Sequence, residues 1–211
     1  MTNSISTIGE STAPNAAEAV AESAGIPIEQ RTDITVDELE RMSLPYPAEL
    51  YDGRIIYKMS NFEHGVIHEN VAYKIRNYLE NHPVGLLSGN ANYRLRPERK
   101  RDSRAPDISF VVNDRLPQSR RRYLPMAPDL AIEILSPVDS FDKVMEKVEE
   151  YLQAGVKIVW LIIASTREVL VCKPEGKHSV RDVLTAPELL PGFELPVQDI
   201  FAGVETAATS K

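Results

Sequence analysis

Two carboxylates fall at positions in the sequence where charge is costly unless it serves chemistry. Asp107 follows Pro106 at the start of an apolar run, and Glu133 lies inside the apolar run 130–135. A carboxylate within a buried strand is unfavourable unless a cation or hydrogen-bond donors compensate it. Two such groups on adjacent strands would suit Mg²⁺, which binds one or two carboxylates and keeps several waters. A buried ion pair with an arginine, or an edge-strand position for Glu133, is the alternative without a metal.

Lys147 is the third residue with a potential chemical role. Val144, Val148 and Tyr151 define the apolar stripe of a predicted helix, and Lys147 falls at the margin of that stripe. An inward-pointing ammonium could reach the carboxylate pair, where it would stabilise a pentacovalent phosphate or position the attacking water. A side chain that extends along the helix surface to solvent is the alternative.

Basic residues are concentrated in one part of the chain. The net charge of -7 weakly disfavours a protein that holds nucleic acid by its overall charge. A local basic patch on an acidic protein can still bind phosphates, because salt screens distant charges. The candidate nucleic-acid contacts are Arg94, Arg96, Arg99, Lys100, Arg101, Arg104, Arg120, Arg121 and Arg122. Two solvated arginine-rich loops are the alternative interpretation.

Capping and turn residues predict the elements that position these side chains. Thr35 opens a short helix through Met42, and Ser60 opens a longer helix to about residue 81. Asp52-Gly53 predicts a hairpin turn. Hydrophobic periodicity predicts strands over 85–95, 108–112, 130–135, 156–163 and 168–172, and a helix over 141–154 whose buried side includes Phe141. This order is typical of an α/β or α+β domain with a mixed β-sheet, and the unit 130–163 predicts a right-handed crossover between parallel strands.

The ends of the chain differ from its centre. Residues 1–33 and 202–211 are rich in small and polar residues, which predicts flexible tails around one domain at 34–201. No apolar run is long enough to cross a bilayer, and the N-terminus lacks a signal-peptide pattern, so a cytoplasmic protein without a membrane partner is expected. The single cysteine, Cys172, excludes a disulfide framework and a cysteine-based zinc site.

The order of these motifs resembles a known nuclease pattern. Pro106-Asp107, then Glu133 after 25 intervening residues and a lysine on the next helix, are similar to the PD-(D/E)XK nuclease superfamily. Two residues after the glutamate, where members of the superfamily usually have a lysine, this chain has Leu135. A branch with its lysine displaced onto the helix is the Uma family of putative restriction endonucleases. The similarity to that family spans 35–201. It is carried by the segments 48–53, 64–65, 105–111, 128–137, 146–151 and 154–156, and by Trp160 on the next strand.

The resemblance implies a restriction-endonuclease-like core, with a mixed β-sheet flanked by helices, that binds Mg²⁺ or Mn²⁺ and hydrolyses DNA. Asp107 and Glu133 would be metal ligands together with the backbone carbonyl of Ile134, and Lys147 would be the catalytic lysine. Glu49 could add a carboxylate from the early hairpin. His64 also matches a family position and is a possible additional site residue. The alternative is that it is a packed, hydrogen-bonded histidine of the core. Superfamily members often need two sites to cut two strands, so a homodimer is expected.

Two functional classes remain open from the sequence. One is a metal-dependent DNA endonuclease. The other is a catalytically decayed nuclease scaffold that binds nucleic acid or takes part in an assembly, which the displaced lysine and the net negative charge would suit. RNA as the substrate is a third, weaker possibility. A zinc site at His64 and His68 is disfavoured, because Gly65 stands where that motif needs glutamate. No module for reading base sequence is present, so no sequence specificity is predicted.

Overall fold

The computed structural model describes residues 26–136 and 139–204. The two predicted tails lie largely outside these residues. The described part of the N-terminal tail, 26–33, contains a 3-10 turn (Ile28–Gln30), and the guanidinium of Arg31 lies 2.6 Å from Glu38. This short segment therefore packs against the start of the domain.

Runs of strands are separated by helices along the described residues. Four α-helices are present there: α1 (Val36–Leu39), α2 (Phe62–Asn81), α3 (Phe141–Gln153) and α4 (Val197–Ile200). The strands of the same residues are β1 (Ala48–Tyr51), β2 (Arg54–Tyr57), β3 (Gly85–Gly89), β4 (Ile108–Val112), β5 (Leu130–Leu135), β6 (Ile158–Ile163), β7 (Glu168–Lys173), β8 (Gly176–Val180), β9 (Val183–Ala186) and β10 (Leu190–Pro196).

A mixed sheet forms the centre of the domain. Within the described part of the chain, six strands pair in the order β3-β4-β5-β6-β7-β8. The β5–β6 pair is parallel and every other pair in this sheet is antiparallel. Two hairpins, β1–β2 and β9–β10, stand beside it. The predicted fold class, a mixed sheet flanked by helices, is confirmed, and so is the parallel pairing of the strands on either side of α3.

The two faces of the sheet are covered by different helices. Strand residues alternate between faces, and Ile132 and Trp160 point to the side where α2 packs through Ile67 and Val71. The opposite face packs against Val148 and Tyr151 of α3, together with Ala131, Val159 and Cys172. Because both faces are covered, β4 and β5 are buried along nearly their whole length. A polar side chain on either strand must therefore find its partners inside the protein.

Local signals in the sequence account for most of the element boundaries. Thr35 caps α1 by accepting a hydrogen bond from the Glu38 backbone N–H, as its capping box predicts. Asp52 and Gly53 adopt the positive φ angles, 44° and 77°, that the predicted hairpin turn requires. The cap of α2 is Asn61, which accepts from the His64 N–H, rather than the predicted Ser60.

Several predicted elements differ from the structure. The first helix has four residues and ends before Met42. The strand predicted over 85–95 ends at Gly89, because Asn90 turns the chain with a positive φ of 49°. Phe141, predicted to be buried, is 46% exposed; it is the first residue of α3, whose buried residues, Val148 and Tyr151, lie two to three turns later. Strands β8 to β10 were not predicted, because β8 is an exposed edge strand without an apolar run.

None of the described helices is long and apolar enough to cross a membrane.

A buried aspartate ties three elements together at one end of the sheet. Asp129 is fully buried, and its Oδ2 accepts a hydrogen bond from the Val112 N–H at 3.0 Å. Its Oδ1 lies 2.8 Å from Arg115 Nη1 and 3.0 Å from Lys157 Nζ. Burial alone would raise the pKa of Asp129, but the bond from Val112 and those from Arg115 and Lys157 outweigh it and lower the pKa. The carboxylate thus joins the end of β4 to the starts of β5 and β6.

Replacing Asp129 by asparagine should lower the free energy of unfolding by about 2 kcal/mol at pH 7, the scale of a hydrogen bond to a charged group. Solvent screening limits the loss, because Lys157 is half exposed. Because folding lowers the pKa of Asp129, its contribution to the stability of the protein is complete above the pKa of the unfolded state. That contribution is lost as the pH falls through the pKa of the folded state. Urea titrations should therefore show the two proteins converging in strongly acidic buffer. Asp182→Asn, at an exposed position, is the control, and an equal loss in both variants would contradict the assignment.

Candidate active site

One cavity collects the five residues that the sequence singled out for chemistry. Its volume is about 440 Å³, and its lining includes Glu49, His64, Asp107, Glu133 and Lys147. They come from β1, α2, the residue before β4, β5 and α3. The cavity therefore lies where the hairpin, both helices and the ends of two neighbouring sheet strands meet.

Asp107 is held on both oxygens at the entrance to β4. Its Oδ1 accepts a 2.6 Å bond from Lys58 Nζ, which also donates to the Ala105 carbonyl at 2.6 Å. Its Oδ2 accepts from the Ile134 N–H at 2.8 Å and lies 3.1 Å from His64 Nε2. Burial alone would raise the pKa of Asp107, but the His64 hydrogen bond and the Lys58 charge outweigh it and hold that pKa well below the ordinary value. The carboxylate is therefore charged at neutral pH.

Glu133 points to the α3 face of the sheet. Its Oε1 accepts hydrogen bonds from the Tyr151 hydroxyl at 2.8 Å and lies 2.9 Å from Lys147 Nζ. Its Oε2 has no hydrogen-bond partner among the described residues, and Glu133 lines the cavity. Burial raises the pKa of Glu133. The charges of Lys147 and Lys58 oppose this rise without cancelling it, and the nearby negative charges of Asp107 and Glu49 add to it. Glu133 therefore takes up a proton more readily than an ordinary glutamate.

Lys147 points inward. Its side chain is 15% exposed, and its Nζ lies 2.7 Å from Glu49 Oε1 and 2.9 Å from Glu133 Oε1. Tyr151 follows one helical turn later, so both side chains lie on the same face of α3 and reach the same glutamate. Burial alone would lower the pKa of Lys147, but the charges of Glu133 and Glu49 outweigh it and raise that pKa. Of the two orientations open from the sequence, the structure therefore has the one that reaches the carboxylates.

Glu49 reaches the site through a pairing between the hairpin and the segment before β4. The backbones of Leu50 and Ser103 exchange hydrogen bonds of 3.1 and 2.8 Å. This places Glu49 where it accepts from the Ala105 N–H at 2.8 Å and pairs with Arg104 Nη1 at 3.2 Å. Burial would raise the pKa of Glu49, but the charges of Lys147, Arg104 and Lys58 lower it. Glu49 therefore belongs to one buried charge cluster, which also contains Asp107, Glu133, Lys58, Arg104 and Lys147.

The two histidines of α2 both bind residue 107. His64 contacts the Asp107 carboxylate, while His68 Nε2 lies 3.1 Å from the Asp107 carbonyl oxygen. Gly89 allows this approach, because a Cβ there would lie 3.0 Å from His68 Nε2. Both histidines of α2 thus help to fix the position of Asp107.

Two contributors to the site were missed in the sequence. Lys58 follows β2, and nothing in its neighbourhood marks it, because its contact with Asp107 depends on how the hairpin packs against β4. Tyr151 was predicted to be buried, but its bond to Glu133 was not foreseen. Its position four residues after Lys147 was the available signal.

The basic residues fall into groups with different surroundings. Arg104 is 12% exposed and pairs with Glu49 and Glu150, and Arg94 pairs with Asp37 and Glu40. Both guanidinium groups are thus already paired with carboxylates. Arg96 and Arg99 line a small cavity that shares residues with the active-site cavity, and Arg101 pairs with Asp52 on the surface. The arginines at 120–122 line a separate cavity beside β3.

The donor set fits a hard divalent cation with few protein ligands. No three His, Cys, Asp or Glu side chains form a metal-binding cluster within 26–136 and 139–204, because lysines lie between the carboxylates. Mg²⁺ needs only one or two carboxylates. Asp107 directly precedes β4 and Glu133 lies on the neighbouring β5, and one oxygen of Glu133 has no hydrogen-bond partner in the described residues. Both observations are compatible with a bound cation.

Comparison with known proteins identifies the family. The family model described as Uma2, putative restriction endonuclease, matches residues 36–198. The chain belongs to the Uma2 family. A crystal structure of a putative nuclease belonging to DUF820, from Anabaena variabilis, is similar with a TM-score of 0.68 and 24% identity over 80% of this chain and 98% of that one. At this identity the similarity establishes the fold. No protein with a curated description matches this chain.

Membership in the Uma2 family confirms the resemblance found in the sequence. The matched region covers the hairpin, the sheet and both helices that line the cavity. The family description is that of a nuclease, and the Anabaena variabilis structure confirms the restriction-endonuclease-like fold. All the residues of the buried charge cluster lie inside the matched part of this Uma2 chain.

Replacing Lys147 by methionine should lower the free energy of unfolding by about 3 to 5 kcal/mol, because it leaves two buried carboxylates without their shared cation. Lys143→Met is the matched control: it changes the same residue type one turn earlier, at an exposed position of α3. That variant should change stability by about 0.5 kcal/mol or less. Chemical denaturation of both variants measures these losses of stability. Equal denaturation midpoints for the two variants would show that Lys147 does not hold the cluster together.

Proposed function

We propose that this protein is a divalent-metal-dependent endonuclease that hydrolyses phosphodiester bonds in DNA. The observation that carries the proposal is the convergence of Asp107, Glu133 and Lys147 on one cavity, with a Glu133 oxygen left free of partners in the described residues. Two acids and a cation at one point are the groups that an in-line attack of water on phosphorus needs. Membership in a family described as restriction endonucleases supports the same reaction class.

Asp107 and Glu133 would hold the metal, which we propose is Mg²⁺, with Mn²⁺ as a substitute. Ile134 donates its N–H to Asp107, and the carbonyl of a strand residue points to the same side as its N–H, so this carbonyl is a candidate third ligand. When bound, the ion would lower the pKa of a water and neutralise charge on the phosphate. Glu49 would contribute through Lys147, with which it is paired.

The side chains around the carboxylates have separable roles. Lys147 has a raised pKa and stays charged at neutral pH, so it can stabilise the negative charge that builds on the phosphate during attack. Tyr151 fixes the orientation of Glu133 through its hydroxyl, and His64 does the same for Asp107. Lys58 neutralises the Asp107 carboxylate. In the overall reaction the water oxygen bonds to phosphorus while one ester bond breaks, which gives a phosphate monoester and a hydroxyl.

Surface arginines near the cavity would hold the DNA backbone. Arg96 contacts only a neutral amide of Gln153 among the described residues, and Arg99 is 3.5 Å from Asp102 and largely exposed. Such contacts to phosphates give affinity without reading base sequence. Arg104 lies too deep for this role and acts instead by neutralising Glu49.

A second candidate is a catalytically decayed scaffold that binds DNA without cutting it. One observation favours it: each of the three carboxylates is already paired with a lysine or arginine. Such internal compensation would allow the cluster to persist without a metal. This candidate predicts salt-dependent DNA binding and no cleavage with any divalent ion.

The test is cleavage of supercoiled plasmid, single-stranded DNA and RNA with Mg²⁺, Mn²⁺ or EDTA. Wild-type protein is expected to cut DNA only with metal. Asp107→Asn and Lys147→Ala should each lower the rate by about a hundredfold or more, as removal of one stabilising group does in other hydrolytic sites. Asp182→Asn should cut normally.

Titration calorimetry with Mn²⁺ separates the two candidates independently of the substrate. The nuclease should bind the ion, and Asp107→Asn should bind it much more weakly. Absence of both cleavage and Mn²⁺ binding in the wild-type protein would reject the nuclease and favour the decayed scaffold. Cleavage of RNA alone would reject DNA as the substrate.

We also propose that the protein is a homodimer, because two active sites are needed to cut both strands and isologous pairing is the commonest oligomer. Light scattering from the purified chain should give twice the monomer mass at micromolar concentration. A monomer mass across the accessible concentrations would contradict the proposal.

A further inference from the structure

We infer that the active-site cavity continues into a groove that stacks unpaired bases, so that the substrate is DNA whose bases are unpaired next to the scissile phosphodiester. The inference rests on the proposed function and adds the class of substrate. It is carried by exposed apolar side chains that border the catalytic cavity, and by the arginines at one end of the same groove.

Three neighbouring cavities with shared lining residues make up the groove. The active-site cavity shares Tyr51 and Arg104 with a small cavity of about 30 Å³ that is lined by Arg96 and Arg99. In the other direction it shares Ser60 and His64 with a wide depression of about 610 Å³ beside the start of α2. The groove therefore runs from the arginines, past the carboxylates, to the N-terminal turn of α2.

Large apolar side chains stand exposed along this path. Tyr51 is 49% exposed, Ile56 46%, Met59 69% and Phe62 88%. The first three line the active-site cavity, and Phe62 lines the depression at the start of α2. Single exposed apolar residues are ordinary on a protein surface, whereas a continuous series beside a functional cavity marks a binding site. Phe62 is the most exposed of the large apolar side chains in the described residues.

The mixture of groups along the groove matches a single strand of DNA. Grooves that bind single strands combine cations that follow the backbone with aromatic side chains on which bases stack. Arg96 and Arg99 supply the cations at one end, and Tyr51 and Phe62 supply rings on either side of the carboxylates. Arg104 stacks over the Tyr51 ring at 4.9 Å and so helps to hold that ring in place.

A continuous duplex would leave these rings without a partner. Paired bases are stacked on each other, so a duplex presents phosphates and groove edges rather than base faces to a protein. The phosphate contacts would then be made while Met59 and Phe62 remained in water. Unpaired bases expose faces that can cover these side chains, and each stacked base adds affinity.

The test measures binding of a fluorescein-labelled oligonucleotide in EDTA by anisotropy. The same sequence is offered as a single strand, as a blunt duplex and as a duplex with a central unpaired loop. We expect the single strand and the looped duplex to bind about tenfold or more tightly than the blunt duplex. The double substitution Met59→Ala with Phe62→Ala should remove that preference, by weakening single-strand binding about tenfold or more while leaving duplex binding unchanged.

Tyr73→Ala is the matched control. Tyr73 is an aromatic residue of the same helix and is 66% exposed, but it lines none of the three cavities. At the helical rise it lies about 16 Å along the axis from Phe62. Its substitution should leave both affinities unchanged. Equal loss in Tyr73→Ala and in the double variant would overturn the inference.

Cleavage in Mg²⁺ of the same three substrates distinguishes the failure of the inference from that of the proposed function. If the wild-type protein cuts the blunt duplex as fast as the single strand, and the double variant cuts both normally, the stacking groove is wrong and the nuclease stands. If no substrate is cut but single-strand binding depends on Met59 and Phe62, the groove stands and the nuclease is wrong.

Discussion

The compensation of buried carboxylates is the constraint on which this structure depends. Glu49, Asp107 and Glu133 are each almost fully removed from water, and an unpaired buried charge costs several kcal/mol. The compensating cations come from different parts of the chain: Lys58 from the end of the hairpin, Arg104 from the segment before β4, and Lys147 from α3. The charge balance therefore requires the hairpin, the sheet and α3 to meet at one point, in addition to what apolar packing already favours.

The same balance is compatible with both a stable cluster and the reaction proposed for it. Lys58 and His64 hold Asp107 firmly in its charged form, whereas burial raises the pKa of Glu133, one oxygen of which has no hydrogen-bond partner in the described residues. The two acids of the cavity thus have different electrostatic surroundings although they lie on adjacent strands. A cation would relieve the charge at Glu133 without breaking its bonds to Tyr151 and Lys147, which both use the other oxygen.

The surroundings of the cluster divide into elements that hold the site and a segment that we propose contacts the substrate. The sheet and its two helices bury the charges and fix their geometry. The segment from Tyr51 to Phe62 leaves large apolar side chains in water at the rim of the cavity, which a merely stable fold would have no reason to do. Binding surfaces commonly sit on such connecting segments, because a rigid core holds them in place.

The sequence by itself determined the central strands, the crossover helix and the acids that mark the site. These are local patterns: a run such as 130–135 must be buried on both faces, and a glutamate within it stands out. Only the tertiary structure decided which cations meet those acids. Lys58 and Arg104 look like surface residues in the sequence, and the orientation of Lys147 was open. Apart from the Lys147–Glu133 pair, which is 14 positions apart, their contacts join residues 46 to 98 positions apart in the chain, and no local pattern reports such distances. Strand β8 was not predicted for a different reason: it is exposed and buries too few apolar side chains for its sequence to show a hydrophobic pattern.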